Sequence, residues 1–186
     1  GLIGGQIIYP ICDENWIIDP ERLDDVKETL RELNKDRDIE VSVSIYLGGF
    51  LVLAGNERGL TALNSTLPAI KLGSNHYPFR LAMHSAFHSA LLREISSSAL
   101  DHFSKQPLNW LRMKYPLIDG RGYTWLPYGA SQRDQLLKYT LAQQVSESFD
   151  FSAAIRTGLR EYNPDQVVLL GPGSTLGSII AQVMIA

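Results

Sequence analysis

Residues 39–54 constrain the fold more than any other stretch of this chain. From Ile39 to Tyr46 the sequence alternates, with Val41, Val43 and Ile45 on one side and Ser42 and Ser44 on the other. That period of two predicts a half-buried strand. Gly48-Gly49 supplies a tight turn, and Phe50 to Ala54 reads as the return strand of a hairpin.

The flanking segments extend the hairpin into a complete unit. Gln6 to Ile11 is a short apolar run, and Asp19-Pro20 marks a helix start, with Asp19 as cap and proline in the first helical position. Leu23, Val26, Leu30 and Leu33 then fall on one helix face. Leu60, Leu63, Leu67 and Ile70 mark a second helix, followed by the apolar run Phe79 to Met83. The order βαββαβ is that of the ferredoxin-like split motif, so residues 1–84 are expected to form a small subdomain.

Beyond residue 84 the pattern becomes α/β. Leu92, Ile95, Ala99 and Phe103 share a helical face that runs on from His88, so a helix is predicted to open at the histidine. Tyr115 to Ile118 reads as a short strand. Ser131 with Asp134 resembles a capping box, opening a helix through Leu137, Leu141 and Val145. Asp150 is expected to cap a further helix whose buried face is Phe151, Ile155, Leu159 and Tyr162. Val167 to Leu170 reads as a strand covered on both faces, turned by Gly171-Pro172-Gly173 into a final helix. Some two strands for four or five helices leaves those helices without a sheet to cover. Together with an initial glycine rather than methionine, this leads us to expect a substantial segment before Gly1 that holds the rest of a parallel sheet, with residues 85–186 as the C-terminal part of that core.

Composition narrows the function classes. With 186 residues, 45% of them hydrophobic, the chain can build one sizeable core or two small lobes. Cys12 is the only cysteine, so an internal disulfide is excluded, and a buried inert thiol in a reducing, cytoplasmic setting is expected. The longest uncharged apolar stretch, residues 178–186, is far short of the roughly 20 residues that cross a bilayer, so no membrane partner is expected. Residues 80–138 hold 8 Lys/Arg against 4 Asp/Glu, while residues 1–79 hold 7 against 12. A basic block of that size could meet an anionic partner but is too weak and spread out for nucleic acid.

Ser85-Ala86-Phe87-His88-Ser89 is the stretch best placed for chemistry. An imidazole titrates near neutrality, and one at a helix N-terminus is biased toward the neutral form that a general base requires. His76, His84, His88 and His102 do not make a metal set, because His84 and His88 do not share a helix face. Residues 171–177, Gly-Pro-Gly-Ser-Thr-Leu-Gly, match neither a Walker A loop nor GxGxxG. They read either as a plain turn or as a strand-to-helix turn that brings backbone close to an active site.

These pieces, in this order, resemble the C-terminal part of malonyl-CoA:acyl carrier protein transacylases and the related acyltransferase domains of fatty acid and polyketide synthases. Residues 85–89 look like that family's catalytic-histidine motif, Leu170 to Gly173 like its late GPG turn, and residues 1–84 like its ferredoxin-like subdomain. The resemblance implies an α/β fold: a ferredoxin-like small subdomain plus part of an α/β-hydrolase-like acyltransferase core. It implies that a serine in a GxSxG elbow attacks the acyl thioester and that His88 takes its proton, the acyl group passing to the thiol of an acyl carrier protein. It implies that the backbone carbonyl of Gln144 orients the imidazole, that Phe87 favours malonyl over α-branched groups, and that Ser85, Gly171 and Gly173 lie beside the substrate. No cofactor is implied beyond the coenzyme A thioester, which is the substrate.

The chain departs from the family in two ways. No GxSxG occurs in it, so the serine is expected from an N-terminal segment or another chain, and the chain alone is expected to be inactive. Tyr46 to Gly49 and Asp119-Gly120 also differ from the residues usual at those turns. Two other readings stay open: a non-catalytic module that binds a carrier protein, and a serine hydrolase of the same fold.

Overall fold

The computed structural model describes residues 1–106, 113–127, 132–170, 173 and 175–185. Its N-terminal part runs β1 (Gly5–Pro10), α1 (Pro20–Leu33), β2 (Val41–Leu47), β3 (Phe50–Gly55), α2 (Glu57–Thr66), β4 (Ile70–Leu72), β5 (Asn75–Tyr77) and β6 (Phe79–Arg80). There follow α3 (Arg93–Ser104), β7 (Leu117–Ile118), β8 (Thr124–Trp125), α4 (Gln132–Lys138), α5 (Gln144–Ser146), β9 (Phe149–Asp150), α6 (Phe151–Tyr162) and α7 (Leu176–Ile185). The fold is mixed α/β around a five-stranded mixed sheet, in the order β6-β1-β3-β2-β9.

The central hairpin forms as its sequence predicts. Leu47 pairs with Phe50 across Gly48-Gly49, and Gly48 takes a φ of +62°, a left-handed conformation that glycine adopts without the cost a Cβ brings. β3 is buried throughout and pairs antiparallel with both β1 and β2. The helices α1 and α2 cover one face, where Val26, Leu30, Leu60 and Leu63 meet Ile7, Tyr9, Leu51 and Leu53 in the core. Asp19 caps α1 by accepting from the Arg22 N–H at 3.2 Å, with Pro20 at the first helical position.

Several expectations are corrected. β2 begins at Val41, and its register slips between Val43 and Ile45, so the strict alternation breaks at a bulge on Ser44. Ser44 is fully buried. Only Phe79 and Arg80 of the run to Met83 pair with β1, because the chain then turns away through Met83, at φ +60°. Ile70 belongs to a β4–β5 hairpin rather than to α2. No helix opens at His88: a 3-10 turn spans Ala90–Leu92 and α3 starts at Arg93. On α3 it is Ser96 that is buried, while Ile95 and Phe103 are exposed. The helix expected from Ser131 is interrupted by a π turn at Tyr139–Gln143, and Ser131 itself lies outside the described residues. Asp150 does cap α6, accepting from the Ala153 N–H at 2.7 Å, but Tyr162 is exposed.

Val167 to Leu170 departs furthest from expectation. The run forms no strand, and Leu170 is 89% exposed. Apolar sequence makes a strand only when a neighbouring strand takes up its N–H and C=O groups, and among the described residues none lies against this run.

Candidate active site

The chain from Leu81 to Ser89 is an irregular loop, tied by hydrogen bonds at Leu81 and again from Ser85 to Ser89. The Leu81 N–H donates to the Gln6 carbonyl at 2.9 Å, and the Ala86 N–H to the Ile3 carbonyl at 2.8 Å. Ser85 accepts from the Ile3 N–H at 3.2 Å, so its oxygen ties the loop to the N-terminal segment. The Ser89 hydroxyl closes the loop on itself by donating to the Ala86 carbonyl at 2.6 Å. Phe87 projects outward, 48% exposed. His88 follows it with φ +55°.

The imidazole meets the C-terminal end of α5, not the start of a helix. The last carbonyls of a helix lack intrahelical partners, and here two of them receive His88. Its N–H donates to the Val145 carbonyl at 2.9 Å, and its Nδ1 contacts the Gln144 carbonyl. A carbonyl can only accept, so Nδ1 carries the hydrogen, and the neutral ring presents Nε2 as a bare acceptor. Burial pushes the His88 pKa down, the Gln144 carbonyl pushes it up, and the net direction is down. The imidazole is therefore neutral at pH 7, for a different reason from the helix-dipole bias expected of the sequence.

The π turn sets up this arrangement. One wide turn at Tyr139–Gln143 shifts the helix register before α5, and the helix ends at Ser146. Such turns recur at functional sites because they re-aim the groups that follow. The Gln144 carbonyl that the resemblance assigns to the imidazole lies against its Nδ1, whereas the π turn has no sign in the sequence.

An aromatic residue that the sequence did not single out closes one side of the ring. Phe149 in β9 stands 5.3 Å from the imidazole, centroid to centroid. Behind it sits Gly120, whose N–H donates to the Tyr139 hydroxyl at 2.7 Å and whose carbonyl accepts from the Asp150 N–H at 2.6 Å. A Cβ on Gly120 would fall 2.1 Å from the Phe149 ring. Gly120→Ala is therefore expected to displace Phe149 and lower stability by about 1–3 kcal/mol, read as a fall in thermal midpoint. An unchanged midpoint would show that the ring has room to move.

The turn that carries Gly120 is held by Asp119, which is buried. Its carboxylate accepts from the Arg121 N–H at 2.8 Å, the Tyr123 N–H at 3.2 Å, the Trp125 indole N–H at 3.1 Å and the Arg121 guanidinium. Arg121 in turn lies over the Tyr139 ring, 4.5 Å from its centroid. Burial alone would raise the Asp119 pKa, but the Arg121 and backbone hydrogen bonds outweigh it and the net direction is down.

Of the residues marked in the sequence, His88, Phe87, Ser85 and Gln144 come together. Gly173 is exposed at φ +89°, and among the described residues no hydrogen bond joins it to the His88 loop. Gly171 lies outside the described residues. A groove of about 660 Å³ between residues 15–18 and α7 holds none of these groups. Among the described residues there is no cluster of three or more His, Cys, Asp or Glu able to hold a metal ion, and no helix long and apolar enough to cross a membrane.

No protein-family model matches this sequence, and neither does any curated protein. Solved structures do match its fold. The malonyl-CoA:acyl carrier protein transacylase of Burkholderia pseudomallei superposes with a TM-score of 0.72 at 16% identity, over 99% of this chain and 57% of that one. The transacylase of Clostridium perfringens gives 0.71 at 18% identity, over 97% and 50%. The acyltransferase domain from the second module of the salinomycin polyketide synthase gives 0.69 at 19% identity, over 100% and 38%. At such identities the likeness shows the fold alone. This chain has the fold of those transacylases and acyltransferase domains, over about half of their length.

Proposed function

We propose that the chain is the histidine-bearing C-terminal portion of a malonyl-type acyltransferase that moves an acyl group from coenzyme A to a carrier-protein thiol. The observation that carries this reading is the Nδ1 contact to the Gln144 carbonyl, which leaves a neutral ring with Nε2 free to accept a proton. In the proposed reaction Nε2 takes the proton of a serine hydroxyl as its oxygen bonds to the thioester carbon. The C–S bond then breaks, and the imidazolium returns the proton to the departing coenzyme A sulfur. In the second half Nε2 takes the proton of the carrier thiol, whose sulfur attacks the serine ester, and the serine oxygen leaves with that proton.

The serine belongs to a segment outside these 186 residues. Two observations favour this: no GxSxG occurs in the sequence, and the chain spans about half the length of the matching structures. The exposed Val167 to Leu170 run and the exposed Ile95 and Phe103 fit a core whose remaining sheet lies in that segment. The order β1-α1-β2-β3-α2-β6, with strands arranged β6-β1-β3-β2, supports a ferredoxin-like subdomain over residues 1–84. In this reading Phe87, beside Ser85 in the His88 loop, favours malonyl over α-branched acyl groups, in a protein of the cytoplasm.

The test is transfer from malonyl-CoA to a carrier protein. A polypeptide joining this chain to a segment with a GxSxG elbow is expected to form a malonyl-serine ester and transfer it. The 186-residue chain alone is expected to do neither. Turnover by the chain alone would overturn the reading, as would hydrolysis without transfer by the joined polypeptide.

A further inference from the structure

His88 sits in the left-handed region, at φ +55°, where a side chain is strained relative to ordinary conformations. Such a residue persists only if its surroundings determine it from several directions. The peptide unit joining Phe87 to His88 is gripped at both ends. On one side the Phe87 carbonyl accepts from the Ser44 hydroxyl at 2.8 Å and from the Gln6 side-chain amide at 3.1 Å. On the other side the His88 N–H donates to the Val145 carbonyl. A trans peptide holds its C=O and N–H in one plane pointing opposite ways, so fixing both fixes the rotation that sets the His88 φ.

We propose that Ser44 and Gln6 are positioning residues for His88: by jointly binding the Phe87 carbonyl they hold the Phe87–His88 peptide plane, and so the direction in which Nε2 points. Both side chains are buried, at 0% and 4% exposure, and they reinforce each other, because the Gln6 amide also donates to the Ser44 oxygen at 2.7 Å. The donors and acceptors balance: the two Gln6 amide hydrogens go to Ser44 and to the carbonyl, and the Ser44 hydrogen goes to the second lone pair of that carbonyl. The β2 bulge brings this about. Without the register slip at Ser44 its side chain would follow the alternation of the strand, and bulges commonly serve to re-aim one side chain beside a functional site. The sheet thus sets the carbonyl end of the peptide and the end of α5 sets the N–H end, with the imidazole between them.

This inference rests on His88 being the proton acceptor of the proposed reaction, but its test does not need that reaction. The ¹⁵N chemical shifts of the His88 ring, measured in this 186-residue chain, report which nitrogen carries the hydrogen, and methyl resonances of Leu51 and Leu53 report whether the core is intact. In the unaltered chain the shifts should show hydrogen on Nδ1 alone. In the Ser44→Ala/Gln6→Leu double variant the two tautomers should approach comparable populations, with the core resonances in place. A fixed Nδ1 tautomer in a folded double variant would overturn the proposal. Should the double variant not fold, Ser44→Ala alone, with the Gln6 bond kept, should show a smaller shift in the same direction, and no shift would overturn it. In the joined polypeptide Ser44→Ala should lower kcat about tenfold with KM within twofold, whereas Ser44→Thr, which keeps the hydroxyl, should restore most of the rate. If the joined polypeptide transfers no acyl group while the tautomer shift is seen, the acyltransferase reading fails and the positioning role stands.

Discussion

Replacing His88 with alanine in the joined polypeptide is expected to lower malonyl transfer by roughly three to six orders of magnitude. A nucleophile and its base act as a unit, so losing either removes nearly all of the covalent route. Stability should fall far less, by about 1–2 kcal/mol. The imidazole is only partly buried, alanine meets the same left-handed backbone, and the loop keeps its ties to Ile3, Gln6 and Ser44. The unaltered enzyme carries a second signature. Burial lowers the His88 pKa below its ordinary value of 6.5, so transfer should be level through neutrality and fall only as pH drops through the folded pKa, on the acid side of 6.5. Linkage has the same sign. Below 6.5 the unfolded chain binds the proton more readily than the folded one, so the contribution of His88 to stability is complete above 6.5 and shrinks as pH falls toward the folded value. An acid limb centred above 6.5, or an alanine variant within tenfold of full activity, would remove His88 from the reaction.

The elements legible in the sequence were those whose signal is local. Asp19-Pro20 specified a cap, Gly48-Gly49 a turn, and the run of Leu23, Val26, Leu30 and Leu33 a helix face, because each depends only on neighbours within one or two turns. That face buries as expected, with Val26 and Leu30 in the core and Leu23 and Leu33 packed against it. The bulge at Ser44 was invisible because the alternation of residues 41–45 is unbroken as sequence. It breaks in the structure because a buried hydroxyl bonded to Gln6 and the Phe87 carbonyl outweighs one regular ladder step. The helix expected at His88 failed for a related reason. Periodicity from Leu92 onward cannot show that the preceding peptide is held by partners as distant in sequence as Ser44 and Val145. Val167 to Leu170 shows the converse, since its pattern is that of a strand while strand formation depends on a neighbour that the described residues do not supply. In the site, His88 and Gln144 are singled out through the resemblance to the transacylases and Asp119-Gly120 only as a departure from it, whereas Phe149 carries no motif and becomes visible only when the chain brings it against the ring.

Asp119→Ala is expected to be the most damaging single change to the scaffold, lowering unfolding free energy by about 3 kcal/mol. The Asp119 side chain is 2% exposed and is the common acceptor for the Trp125 indole, two backbone N–H groups and Arg121. Removing it strands these donors together and leaves a guanidinium beside three aromatic rings without its counter-ion. The Arg121 side chain is 40% exposed, so water recovers part of its charge, which keeps the loss below the upper range for a fully buried pair. Asp119→Asn preserves the shape and one acceptor oxygen but not the charge, so it should cost less than the alanine change. The sign of the pH effect follows from the depressed pKa of Asp119. The charge-dependent part of its stabilisation is present in full above the ordinary carboxyl value of 3.8 and is lost as pH falls through the folded value, so the gap in stability between the alanine and unaltered chains should narrow in strong acid. The damage should also reach the histidine. The Asp119 turn carries Gly120, Gly120 abuts Phe149, and Phe149 flanks the imidazole. Denaturant titration at neutral pH measures the first effect, and the His88 ring shifts measure the second. If the midpoint drops while those shifts stay fixed, Asp119 supports the β7–β8 turn alone. If both move, the aromatic stack carries the strain of that turn to the ring that handles the proton.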